Sequence, residues 1–198
     1  MKKKFKPHAV FLAGLLGLAL FHPADTAAQS FQTTDTDEQI VRFFADHSLG
    51  EVDGTLTPVT GTLTFDPAAP ANGLSGRFTA DMTSFDSGIG LRDRDMRKKY
   101  LHTEQYPEAV FTLDDALPTR LDDASGDTIR LSVTGSMTLH GVTRNHTVEA
   151  TLVPTPEGYR VHAAFPLLLS EYDIKPIKRF LLKVKDEIRV EIDLTLVK

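Results

Sequence analysis

Arg92 and Asp93 stand side by side, with Arg97, Lys98 and Lys99 just beyond them. An arginine fork suits bidentate recognition of a phosphate, so Arg92 is a candidate for gripping an anionic head group or for fixing the mouth of a cavity. The same pair also reads as an Arg–Asp clasp at a helix start, with Asp93 as the cap. The Arg97–Lys98–Lys99 run suits attraction of an anionic head group and equally the solvated face of a short helix.

The imidazoles are His47, His102, His140, His146 and His162, beyond two in the first 28 residues. None has the His-x-x-x-His or Glu-paired spacing of a helical zinc site. His140 and His146 flank one expected hairpin and could approach each other, but two histidines without a third ligand hold zinc poorly. His140 is instead expected to hydrogen-bond across its own turn, where Gly141 supplies backbone freedom. The chain has 0 Cys, which excludes thiolate and disulfide chemistry. It lacks a Gly-x-Ser-x-Gly elbow and a phosphate-binding Gly-rich loop. No catalytic residue, metal or cofactor is expected, and the chain reads as a binding protein rather than an enzyme.

The elements that would position these groups are strands. Period-two alternation dominates. Val59, Gly61, Leu63 and Phe65 share one face; Gly76, Phe78, Ala80 and Met82 another. Ile129, Leu131, Val133, Gly135, Met137 and Leu139 form a third row, followed by Val148, Ala150 and Leu152. Tyr159 to Leu167 and Ile188 to Leu196 give two more. Ile40–Ala45 is expected to be the first strand, and Ala109–Leu113 a short one carrying Phe111. About eight strands with one dry face each predict an all-β fold. A closed antiparallel up-and-down barrel is favoured over a sandwich, since closure removes exposed edges. The one helical excursion is expected near residues 92–106, as Arg92–Leu101 and a second short turn ending at Tyr106-Pro107.

Lys2, Lys3, Lys4 and Lys6 precede an apolar run, Ala9–Phe21, and small residues at Thr26-Ala27-Ala28. This is the layout of a cleavable secretory signal peptide over residues 1–28. The mature protein is then expected to be exported, soluble and not membrane-spanning. Residues 29–37 read as a polar lead-in and 38–198 as one domain. Losing residues 1–28 removes four Lys and Asp25, moving the formal charge from −5 to −8. That acidity argues against nucleic acid as a partner and against passive adhesion to anionic lipid surfaces. A homodimer is compatible with the sequence.

Two blocks give the chain a family likeness: Arg92-Asp93 with Tyr106-Pro107-x-x-x-Phe111, and Gly135-x-x-Thr-Leu-His-Gly-Val-Thr-Arg144. With Ser84-Phe-Asp-Ser-Gly88, Tyr172-Asp-Ile-Lys-Pro176 and Val184-Lys-Asp-Glu-Ile188, they resemble the YceI-like family across nearly all of the mature chain. The resemblance implies a lipocalin-like barrel whose elongated apolar cavity holds a long isoprenoid lipid, in a bacterial protein exported to the periplasm.

The inward rows are compatible with that cavity and also with a packed core. They mix Gly61, Gly76, Ala80, Gly135, Ala150 and Ala163 with larger groups. Small residues leave room and methionine adapts to irregular apolar shapes, yet a tapered solid interior looks the same in sequence. With the resemblance, the candidate ligand-binding set is Val59, Phe78, Ala80, Met82, Phe111, Leu131, Val133, Met137 and Phe165, with Arg92 at the mouth. The rival is a solid barrel serving as an interaction or stress-response module; an enzyme acting on lipid or quinone head groups is a third possibility.

Overall fold

The computed structural model describes residues 28–34, 39–70, 73–116, 119–121, 128–179 and 182–198. The expected signal peptide lies outside them, apart from Ala28. The strands are β1 (Gln29–Thr33), β2 (Ile40–His47), β3 (Gly50–Leu56), β4 (Val59–Phe65), β5 (Leu74–Asp81), β6 (Glu108–Ala116) and β7 (Thr119–Leu121). They continue as β8 (Ile129–Leu139), β9 (Val142–Thr155), β10 (Gly158–Leu168), β11 (Lys178–Arg179), β12 (Leu182–Lys183) and β13 (Glu187–Val197). One short helix, α1 (Gly90–Asp95), runs into a π-helical turn, Met96–Tyr100.

These strands close into an eight-stranded antiparallel barrel. β1 and β2 lie in line along β13, and β3 and β4 pair with them in turn. The ring continues through β5, β6 with β7, β8, β9 and β10, and returns to β13. Apart from the closing pairs made by β1 and β2, and with the separate β11–β12 pair set aside, each step joins neighbours in sequence, which is the up-and-down order the turn spacing predicts.

Alternation explains the register. In β10, Val161, Ala163, Phe165 and Leu167 are buried, while Arg160, His162, Ala164, Pro166 and Leu168 face out. The same period places Val59, Leu63 and Phe65 of β4, and Leu131, Val133 and Leu139 of β8, in the interior.

Two expectations need correction. Residues 29–33, read as polar lead-in, form the first strand. Phe31 anchors them: it is 3% exposed and packs on Phe65 and Tyr159. One inward aromatic plus backbone pairing to two strands suffices, although the sequence around it is polar. The helix begins at Gly90, not Arg92, and widens at Met96, where Leu101 N donates to Met96 O at 2.9 Å. That turn carries Met96, Tyr100 and Leu101 against the barrel interior.

The barrel has two unlike ends. At one, the β2–β3 turn, α1, the β8–β9 turn and residues 169–179 and 182–186 come together. At the other lie the end of β4, the start of β5, the β9–β10 connection and the end of β13.

Candidate functional site

The inward rows enclose a cavity of about 730 Å³ rather than meeting in a filled core. All ten candidate residues line it: Val59 (β4), Phe78 and Ala80 (β5), Met82, Phe111 (β6), Leu131, Val133 and Met137 (β8), Phe165 (β10) and Arg92 (α1). Ala150 and Ala163, which face each other across β9 and β10, line it too.

The glycines of the inward rows do not create open space. A Cβ at Gly61 would strike the Phe78 ring, and one at Gly135 would come within 2.8 Å of the Phe111 ring. Each glycine lets a neighbouring aromatic lie back against the wall. The room therefore comes from the orientation of Phe78 and Phe111 as much as from small side chains.

One end is shut by aromatics. Phe31, Phe65 and Tyr159 meet at centroid distances of 5.2, 5.1 and 5.2 Å, the two contacts of Tyr159 being edge-on. They stand beyond Leu63 and Leu194, the last wall residues of β4 and β13.

The other end is the mouth, and the charged lining residues sit there. Arg92, Asp95 and Lys99 come from the helical segment, Lys178 from β11 and His47 from the end of β2. Lys99 Nζ lies 3.1 Å from Asp95. Arg92 and Asp93 act as a clasp on one residue, Ser87. Arg92 Nε donates to Ser87 Oγ at 2.6 Å and Nη2 donates to the Ser87 carbonyl. Asp93 Oδ1 accepts from Ser87 N at 3.0 Å and from the Ser87 hydroxyl. Asp93 is buried and does not cap α1, whose N-cap position, Ile89, has no side-chain cap. Arg97 is also structural, donating to the Phe85 carbonyl at 2.6 Å, while Lys98 and Lys99 are exposed.

The histidines arrange themselves differently from expectation. His140 does not bond across its own turn. Its Nδ1 lies 3.0 Å from the Tyr172 carbonyl and its Nε2 lies 2.7 Å from His102 Nδ1. A carbonyl only accepts, so His140 Nδ1 carries the proton; with the ring neutral, Nε2 accepts and His102 Nδ1 donates. This chain ties the segment after the π turn to the barrel. His146 is far along the hairpin, opposite Gly135, with its ring edge-on to Phe165 at 4.8 Å. Among the described residues, no three His, Asp or Glu side chains gather where they could hold a metal.

The sequence reading missed lining residues at the mouth, among them Ile89, Leu91, Asp95, His47 and Lys178. Ile89 and Leu91 directly precede Arg92, and an apolar pair before a cationic run was the available signal.

The YceI-like domain profile matches residues 32–196. The chain belongs to the YceI-like family. Protein YceI of Escherichia coli O157:H7 is 34% identical over 146 residues, covering 72% of each chain. Among solved structures, Burkholderia cenocepacia BcnA superposes with a TM-score of 0.67 at 21% identity, over 81% of this chain and 96% of its own. A polyisoprenoid-binding domain from Saccharophagus degradans, implicated in plant cell wall breakdown, gives 0.62 at 15% identity, over 85% and 97%. At those identities, the last two show that this YceI-like chain shares their fold.

Proposed function

We propose that the barrel binds one long apolar lipid, an isoprenoid, and sequesters or carries it through the periplasm without reacting on it. The observation that carries this reading is the asymmetry of the cavity: an apolar bore, an aromatic floor, and charged groups at the mouth alone. A flexible hydrocarbon entering such a bore leaves water along its length, at about 25 cal/mol per Å² before ordering costs. A polar head stays at the mouth, where Lys99 and Lys178 orient it. The polyisoprenoid-binding relative supports the choice of an isoprenoid. A packed interior, on which the rival interaction module depends, is not what this barrel holds.

The test is mass spectrometry of organic extracts from protein exported by its native host and purified without detergent. A stoichiometric isoprenoid or quinone-like species is expected. Protein that is empty as isolated, and stays empty with isoprenoids of several lengths, would defeat the reading.

A further inference from the structure

Among the described residues, an apolar chain held in this bore leaves by the mouth, and the surface around that opening differs from the rest of the molecule. Among the described residues, five large hydrophobic side chains are well exposed, and four of them are at the mouth end: Leu49, Ile89, Leu91 and Leu168. Ile89 and Leu91 are each more than half exposed and also line the cavity, so apolar surface runs unbroken from the wall to the outside. Leu49, at 76% exposure, tips the β2–β3 turn, which is stitched to β12 by Ser48 N donating to the Lys183 carbonyl at 3.2 Å.

The charge of this end is mixed, with exposed carboxylates at Asp46 and Glu51 beside Leu49 and at Glu187 opposite Leu168, but that of the helical segment carrying Ile89 and Leu91 is one-sided. Residues 89–101 hold five cations and two carboxylates, +3 within a chain of −5. Both carboxylates are taken: Asp93 is buried on Ser87 and Asp95 pairs with Lys99. Every exposed residue from 89 to 100 is therefore apolar, glycine or cationic: Ile89, Gly90, Leu91, Arg94, Lys98 and Lys99. The neighbouring segment exposes Lys175, Lys178 and Lys183 together with Glu171, Asp173 and Asp186, so the cationic excess rests on the helical segment. Apolar tips among lysines and arginines are what an interfacial anchor presents to anionic head groups.

We propose that the mouth face docks on an anionic lipid bilayer, with Leu49, Ile89 and Leu91 entering the head-group layer and Arg94, Lys98 and Lys99 meeting its phosphates. Docking so aimed sets the bore against the membrane, and an apolar chain passes between them without crossing water. The acidity of the whole chain, which argues against adhesion, is the wrong measure, because these cations are concentrated on one helical segment. This inference goes beyond the binding of cargo and stands whether the cavity holds an isoprenoid or another apolar chain.

The test is flotation with vesicles of phosphatidylcholine alone and of phosphatidylcholine and phosphatidylglycerol in equal parts. The protein is expected to float with the anionic vesicles. Binding should fall as salt shortens the screening length from about 10 Å at 0.1 M to 3 Å at 1 M. Lys98→Glu should weaken binding by about tenfold or more, and Leu49→Ser by severalfold. Neither residue lines the cavity, so both variants should keep the wild-type lipid content. Val153→Ser, at the far end of the barrel, should bind vesicles like wild type. Absence of flotation, or flotation unchanged by both Lys98→Glu and Leu49→Ser, would overturn the proposal. So would a concentration-dependent dimer, dispersed by Leu91→Ser, in protein that ignores vesicles. An empty cavity in protein that still docks would count against the proposed cargo and leave the docking intact.

Discussion

Gln39 stands in for a missing piece of strand opposite Thr195. Its Oε1 accepts from Thr195 N at 2.9 Å and its Nε2 donates to the Thr195 carbonyl at 3.2 Å. β13 pairs with β1 at residues 196 and 197 and with β2 at residues 189–193. Thr195 falls in the gap, and the side-chain amide completes the ladder there. Nε2 also donates to Thr34 Oγ1 at 2.8 Å, which fixes the chain leaving β1. Gln39 is wholly buried, so water cannot replace it.

Gln39→Leu keeps the volume and removes all three bonds. Two buried backbone groups then lose their partner, at about 1–3 kcal/mol each. Urea denaturation should show a lower midpoint, and hydrogen exchange should quicken at Thr195 ahead of the rest of β13. Equal protection of Thr195 in both proteins would refute the assigned role.

Asp93→Ala tests the clasp at the mouth. It leaves the Ser87 amide and hydroxyl without their acceptor and should cost about 1–3 kcal/mol. Because the clasp fixes α1 against the loop before it, amides of residues 87–101 should exchange faster while those of β8 to β10 stay protected. A uniform loss of protection would show that the clasp supports the whole barrel instead.

His146 gives the fold an acid sensitivity. Burial pushes its pKa below the ordinary value of 6.5; the charge of Glu171 and a hydrogen bond to the Pro166 carbonyl oppose this in part. Its Nε2 is buried without a partner. The unfolded chain therefore binds the proton more readily. The stability linked to this group is complete above about pH 6.5 and is lost as pH falls through the lower folded-state pKa. Thermal melting from about pH 7.5 to 5 should show a falling Tm, less steep in His146→Leu. Parallel curves for the two proteins would remove His146 as the cause.

The barrel is legible in the sequence because inward and outward residues alternate through β4, β5, β8, β10 and β13. β1 is not, because Phe31 is its single apolar anchor and its other support is backbone pairing that composition does not record. The His102–His140 contact joins residues 38 apart across two turns, and local spacing carries no trace of it. Whether the interior is filled is likewise illegible: Gly61 and Gly135 suggest room, but Phe78 and Phe111 occupy it. The cavity depends on how those rings lean, which three-dimensional packing decides.

Ala80 offers the simplest way to fill the bore. It faces inward between Val59 on β4 and Ala109 on β6, and all three line the cavity. An indole at this position enters existing space, so Ala80→Trp should lose less than the about 3 kcal/mol that overpacking can cost. Its circular dichroism should match wild type while co-purifying lipid disappears. Undiminished lipid in a folded Ala80→Trp protein would place the cargo outside the barrel.

The aromatic floor should decide how long a chain fits. Tyr159 is only half-buried and meets Phe31 and Phe65 edge-on, so it is the member whose loss the fold tolerates best. Tyr159→Ala should cost less than the about 3–5 kcal/mol of a fully buried aromatic. It would open the closed end beyond Leu63 and Leu194. Given a mixture of prenols of rising length, wild type should retain chains up to a cut-off set by the bore. The variant should retain longer ones, as read by mass spectrometry of the bound fraction. The same cut-off in both proteins would mean that length is set elsewhere, at the mouth or by a bend in the bore, and that the three rings serve only to stabilise the end of the barrel.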